Sequence, residues 1–197
     1  MYLLSLHQLA RVQITTSKHI HKMGINTINH FLELDEINFL SSQSISKEIA
    51  NSFQKLLYKS EQKTLRTRLK LKEINLIIFP SWSHSEEILY EELTNIIISL
   101  SNHPQKNKIT LLIENSDISD KDVEIFLYSI AMDLMINNVI VIDNELQISL
   151  IGKLNEIQWK ALIPCIQGRV PLVNENKFAI NSIGVENFID YDLHQIV

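Results

Sequence analysis

Two apolar runs constrain this chain more than anything else in it. Ile74-Asn75-Leu76-Ile77-Ile78-Phe79 and Ile109-Thr110-Leu111-Leu112-Ile113 show no polar alternation. A strand with one face in water alternates polar and apolar side chains, whereas a strand covered on both faces reads as a continuous greasy run. Between the runs the chain breaks at Pro80-Ser81-Trp82-Ser83, becomes an acidic amphipathic segment, and turns at His103-Pro104. That segment is long enough to be a crossover helix, so the unit reads as β-α-β. Such a unit either binds a nucleotide or simply holds a fold together.

The second run ends at Glu114-Asn115, and Ser119-Asp120-Lys121-Asp122 has the form of a helix start, with Val123, Phe126, Leu127, Ile130, Ala131, Leu134 and Met135 in helical period after it. Ser83-His84-Ser85-Glu86 resembles a capping box and predicts a helix beginning near residue 84, whose stripe is Ile88, Leu89, Leu93, Ile96, Ile97 and Leu100. Asn137-Asn138 breaks the long helix. Val139 to Ile142 reads as a short strand that either forms a hairpin with Gln147 to Ile151 or stays out of the main sheet, since Asp143 to Leu146 is too short for a parallel crossover. Asn155 is placed to cap a short helix stopped by Pro164, and Arg169 to Val173 reads as a last strand, at an edge or an end because Pro171 lacks a donor.

The expected fold class is α/β: a Rossmann-like, mostly parallel sheet flanked by helices, with an N-terminal helical segment. Residues 1–73 form that helical segment, with apolar positions Ile20 to Leu32 and Ile45 to Leu57 at helical spacing. Residues 74–180 form the α/β domain and residues 181–197 a weakly patterned tail. From Tyr58 to Lys72 the chain carries Lys59, Lys63, Arg66, Arg68, Lys70 and Lys72. This stretch either attracts phosphate or an acidic partner, or is a solvated helix face or linker.

The four glycines, Gly24, Gly152, Gly168 and Gly184, lie far apart, which excludes the G-x-G-x-x-G fingerprint and the Walker loop. Lys and Arg total 18 against 23 for Asp and Glu, a formal net charge of -5, which argues against broad nucleic-acid binding. The single cysteine, Cys165, excludes an internal disulfide framework, and no run reaches the length of a membrane span, so the expectation is a cytoplasmic protein. Asp117, Asp120, Asp122 and Glu124 lack the EF-hand spacing and its glycine, and the histidines have no ligand spacing, so no metal and no cofactor are expected.

Between residue 74 and about 180 the phrases Ile77-Ile78-Phe79-Pro80-x-Trp82, His103-Pro104, Leu111-Leu112-Ile113 and Gln158-Trp159-x-Ala161-Leu162 follow one another in order. This order resembles the nucleotide-sugar-binding half of two-domain GT-B glycosyltransferases. It is especially similar to a divergent domain in tetratricopeptide glycosyltransferase proteins of cyanobacteria. The resemblance implies a nucleotide-sugar ligand, with Ser81, Trp82, Ser83 and His84 facing the donor diphosphate, Asn115 near it, Gly152 and Lys153 bordering base or phosphate, and Glu175 approaching the ribose. The loop after the first run lacks the family's cationic residue and glycine, and residues 1–73 do not supply an acceptor domain. Two expectations of function result. One is a glycosyltransferase-like domain that is degenerate or needs a partner; the other is a non-catalytic interaction or scaffold module docking a protein through residues 1–73.

Overall fold

A computed structural model of the chain describes residues 47–83, 85–137, 146–185 and 188–191. The helix expected over Ile20 to Leu32 and the short strand at Val139 to Ile142 lie outside the described residues. The chain divides into Met1–Leu56 and Leu57–Val197, and the sheet belongs entirely to the second unit. The elements are α1 (Lys47–Arg68, which crosses the division), β1 (Ile74–Ile78), α2 (Glu86–Ser101), β2 (Ile109–Ile113), α3 (Asp120–Ile136), β3 (Gln147–Leu150), α4 (Glu156–Leu162), β4 (Gly168–Arg169) and α5 (Lys177–Ile183).

The four strands form one parallel sheet in the order β3-β2-β1-β4. The greasy runs have no polar alternation because both of their faces are covered. Leu76 and Ile78 of β1, with Ile109, Leu111 and Ile113 of β2, pack against α2 and α3. Ile77, Phe79 and Leu112 point the other way, into a second cluster with α1, α4 and α5. The chain walks outward from β1 to β3 with its helices on one face, then returns beneath the sheet through α4 to place β4 on the other side of β1. The direction of winding therefore reverses between β1 and β4, the place where open α/β sheets form a crevice.

The polar residues inside the runs join the layers. Asn75 is 1% exposed; its Oδ1 accepts from Lys72 N at 2.9 Å, and its Nδ2 donates to Cys165 O at 2.8 Å. Thr110 Oγ1 and Ser149 Oγ donate to Lys70 O and Leu69 O at 2.9 and 2.7 Å, fastening the end of α1 across the sheet. That end is itself a tight reversal. Lys70 takes φ 48°, while Leu71 N donates to Arg66 O and Lys70 N to Thr67 O, the double bond pattern of a helix closed by a left-handed residue.

Several local expectations hold and some are corrected. Ser119 caps α3 by accepting from Asp122 N, Asn155 and Gln158 form a full capping box on α4, and Asn137 ends α3. The capping box at Ser83 to Glu86 does not form. Ser85 is the N-cap of α2, it makes no side-chain bond there, and the helix starts at Glu86. The last strand is two residues, Gly168–Arg169, earlier and shorter than Arg169 to Val173, because the chain leaves β1 before Pro171. Beyond it, Arg169 N donates to Ile189 O at 3.0 Å and Tyr191 N to Arg169 O at 2.6 Å, so residues 189–191 run along the outer edge of β4. Gly168 permits this approach: a Cβ there would stand 3.1 Å from Ile189 O and 3.3 Å from Tyr191 Cβ. Among the described residues no helix is long and apolar enough to cross a membrane.

Candidate functional site

The carboxyl ends of the strands carry all seven described members of the expected ligand-binding set, but divide them between two places. The first is the crevice between β1 and β4. There the chain after β4 turns back and runs antiparallel beside the chain after β1, bridging Pro80 and Glu175. Asn176 N donates to Phe79 O at 2.9 Å and Ser81 N to Asn174 O at 3.1 Å. The crevice is thus occupied by the protein's own backbone, held by the same hydrogen bonds that would otherwise have been satisfied by water or ligand.

Glu175 belongs to this closure. Its Oε2 lies 3.2 Å from Arg169 Nη1, and Arg169 Nη2 reaches Asp190 Oδ1 at 2.8 Å. Arg169 and Glu175 have side chains only 13% exposed, so the pair is tied into the fold and the carboxylate faces a guanidinium. Trp82 lies across the end of β2: its Nε1 donates to Glu114 O at 3.0 Å, and its ring meets Phe126 edge to face with centroids 6.2 Å apart. Ser81 is half-buried with its Oγ 3.4 Å from the exposed Ser83 Oγ. His84 lies outside the described residues.

The second place is an open concavity of about 360 Å³ beyond β2 and β3, lined by Asn115, residues 116–120, Gly152 and Lys153. Three expected residues meet here. Asn115 is buried, and its amide spans the gap: Nδ2 donates to Asp120 Oδ1 at 2.6 Å and Oδ1 accepts from Gly152 N at 2.8 Å. Gly152 takes φ +66°, which lets the chain turn off β3 toward Asn115 and leaves Lys153 exposed at the rim. Asn176 Nδ2 donates to Asp117 Oδ2 at 2.8 Å, tying the loop before α3 to the cap of α5.

The electrostatics of this concavity differ from what a diphosphate needs. Among the described residues its lining has one cation, Lys153, and two carboxylates, Asp117 and Asp120. The start of α3 supplies a favourable dipole end, yet the carboxylates of Asp120 and Asp122 already sit there. Asn115, buried at the centre of the lining, spends its amide on the protein. No group of three or more His, Cys, Asp or Glu suited to a metal ion occurs among the described residues.

Residues that pattern reading passes over do much of the positioning. Asp120 stands out in the sequence as part of a helix start and as a calcium-like acid, although a carboxylate five residues after a strand-end asparagine is within reach of its amide. Arg169 reads as the start of a strand, and nothing in the sequence near it signals that Glu175 and Asp190 converge on its guanidinium. Compared with protein families, curated proteins and solved structures, the chain matches none of them.

Proposed function

We infer that the α/β unit serves as a non-catalytic interaction module. The observation that carries this reading is the closure of the β1/β4 crevice by the bonds joining residues 79–81 to 174–176. A sheet whose switch point is filled by its own chain keeps the architecture of a nucleotide-binding fold and lacks its customary receptacle. The outer face of α3 supports the same reading: Ile125, Tyr128, Met135 and Ile136 are exposed, while Val123, Ile130 and Leu134 of the same helix fill the core. Apolar side chains on both faces of one helix suit a helix that meets a partner. Residues 1–73 remain the other expected docking segment.

A second reading has its own support. The concavity of Asn115, Gly152 and Lys153 lies beyond strand carboxyl ends and at the start of a helix, so a nucleotide-sugar bound there would meet Lys153 and the backbone of the α3 entry. Calorimetric titration of the folded protein with uridine and guanosine diphosphates into the millimolar range separates the two. The interaction module gives no saturable heat that Lys153→Ala alters. A saturable heat that Lys153→Ala abolishes would establish the nucleotide-sugar reading instead.

A further inference from the structure

The basic stretch between Tyr58 and Lys72 acquires a shape at the opposite end of the sheet. An open concavity of about 570 Å³ lies below the amino ends of the strands, lined by Arg66, Lys72, Lys108, Glu73, Asn75, Asn107 and Gln167 together with Leu71, Pro164 and Cys165. Its cations come from three separate segments: Arg66 from the last turn of α1, Lys72 from the loop into β1, and Lys108 from the 3-10 turn Lys106–Lys108 that precedes β2. Lys70 and Lys106 belong to the same two connecting segments. A chain with a net charge of -5 therefore gathers positive charge around one hollow, while Asp117 and Asp120 mark the other end of the sheet.

We propose that this hollow binds a small, multiply phosphorylated compound. Three cations and the side-chain amides of Asn107 and Gln167 line a space of the size small ligands occupy, and phosphate oxygens accept from both kinds of donor. Arg66 offers the planar fork that fits a phosphate face-on, and the two lysines supply point charge. Among the described residues no aromatic side chain lines the hollow, so a nucleobase would find no stacking partner. The chemistry selects clustered phosphates without a base. The floor is rigid because Asn75 is spent on Lys72 and Cys165, and Asn75 N donates to Gln167 Oε1 at 2.6 Å. The anion in the described lining, Glu73, holds Lys108 at 3.1 Å in a pair with side chains 71% and 45% exposed. An exposed pair of this kind contributes little, so a polyphosphate displaces Glu73 from Lys108.

The probe is inorganic tripolyphosphate, titrated calorimetrically into the full chain at two salt concentrations. The expected result is a single saturable site, weakened by salt and weakened about tenfold by each of Arg66→Ala, Lys72→Ala and Lys108→Ala, the loss of one charge-assisted contact. Glu73→Gln is expected to tighten binding several-fold, an effect a merely destabilised protein would not give. Lys177→Gln, on the exposed start of α5, is expected to change nothing. Circular dichroism of each variant confirms the fold. Absence of saturable binding, equal binding by all variants, or preferential binding of single-stranded oligonucleotides that strengthens with their length would overturn the proposal. Because the hollow lies at the amino ends of the strands, none of these results bears on the closed crevice.

Discussion

Asn115→Asp puts the wiring of the strand-end concavity to a direct test. The substitution conserves volume and keeps an acceptor for Gly152 N, but it turns the donor that faces Asp120 Oδ1 at 2.6 Å into a second carboxylate oxygen. Two unit charges about 4 Å apart repel by about 4 kcal/mol at an effective dielectric of 20. Asp120 is exposed and the pair escapes part of the repulsion by binding a proton, so a loss of about 2–3 kcal/mol is expected near neutral pH. One carboxyl of the new pair titrates above its ordinary value in the folded protein. Between the ordinary and raised values the folded state binds more protons than the unfolded one, so the variant's stability relative to the parent falls as pH rises through that window and recovers below it. The observable is the difference between parent and variant in urea unfolding, measured at about pH 4 and about pH 7.5. The double variant Asn115→Asp, Asp120→Asn moves the donor to the other partner. It should recover about 1–2 kcal/mol, after allowing for the 0.3–1 kcal/mol that an acidic residue contributes in the first turn of a helix. A deficit that does not change with pH, or a double variant no more stable than the single one, would refute the reasoning.

Other outcomes rest on the same geometry. Lys70→Gly removes a Cβ from a left-handed position at the end of α1 and is expected to stabilise the protein by about 0.5–1 kcal/mol, read as a raised thermal midpoint. Ser149→Ala strips Leu69 O of a buried donor and is expected to cost about 1–3 kcal/mol in urea unfolding. The Tyr90 hydroxyl donates to Asp133, which raises its pKa above the ordinary 10.0, through that hydrogen bond first and then through burial and the nearby negative charge. The contribution of that bond is whole below pH 10.0 and is lost as pH rises through the raised value; ultraviolet titration should show Tyr90 ionising late, and earlier in Asp133→Asn.

The sheet was legible because burial on two faces leaves a short continuous apolar run: Leu76 to Phe79 and Leu111 to Ile113 are sandwiched, and their turn-bounded shortness sets them apart from Ile96-Ile97-Ile98, which lies inside the long period of α2. The helix over Ser119 to Asn137 was legible from its cap and its period. The start of α2 shows the limit of such signals, since Ser83 and Glu86 have the right spacing and the serine actually used is Ser85, without a side-chain bond. At the strand ends, pattern and resemblance named residues that do converge in Asn115, Gly152 and Lys153. They did not separate these from Glu175, because its position depends on a guanidinium brought in by β4 and on a backbone reversal at residues 174–176. Contacts between segments so far apart leave no local pattern in either one. Asn75 and Thr110 look like interruptions in greasy runs and prove to be the joints between sheet and connecting loops.

The two neighbours of β1 arrive from different distances along the chain. Ile74 pairs with Ile109, 35 residues on, whereas Leu76 pairs with Gly168, 92 residues on. Closing the longer loop costs about 0.8–0.9 kcal/mol more in chain entropy, and β4 repays it with only two paired residues. In folding, β1, α2 and β2 should therefore assemble first and β4 last, carrying Arg169 and the closing segment with it. Until that final strand docks, the groove beside β1 is open to water, and amide protons of residues 168–170 should exchange sooner than those of residues 111–113.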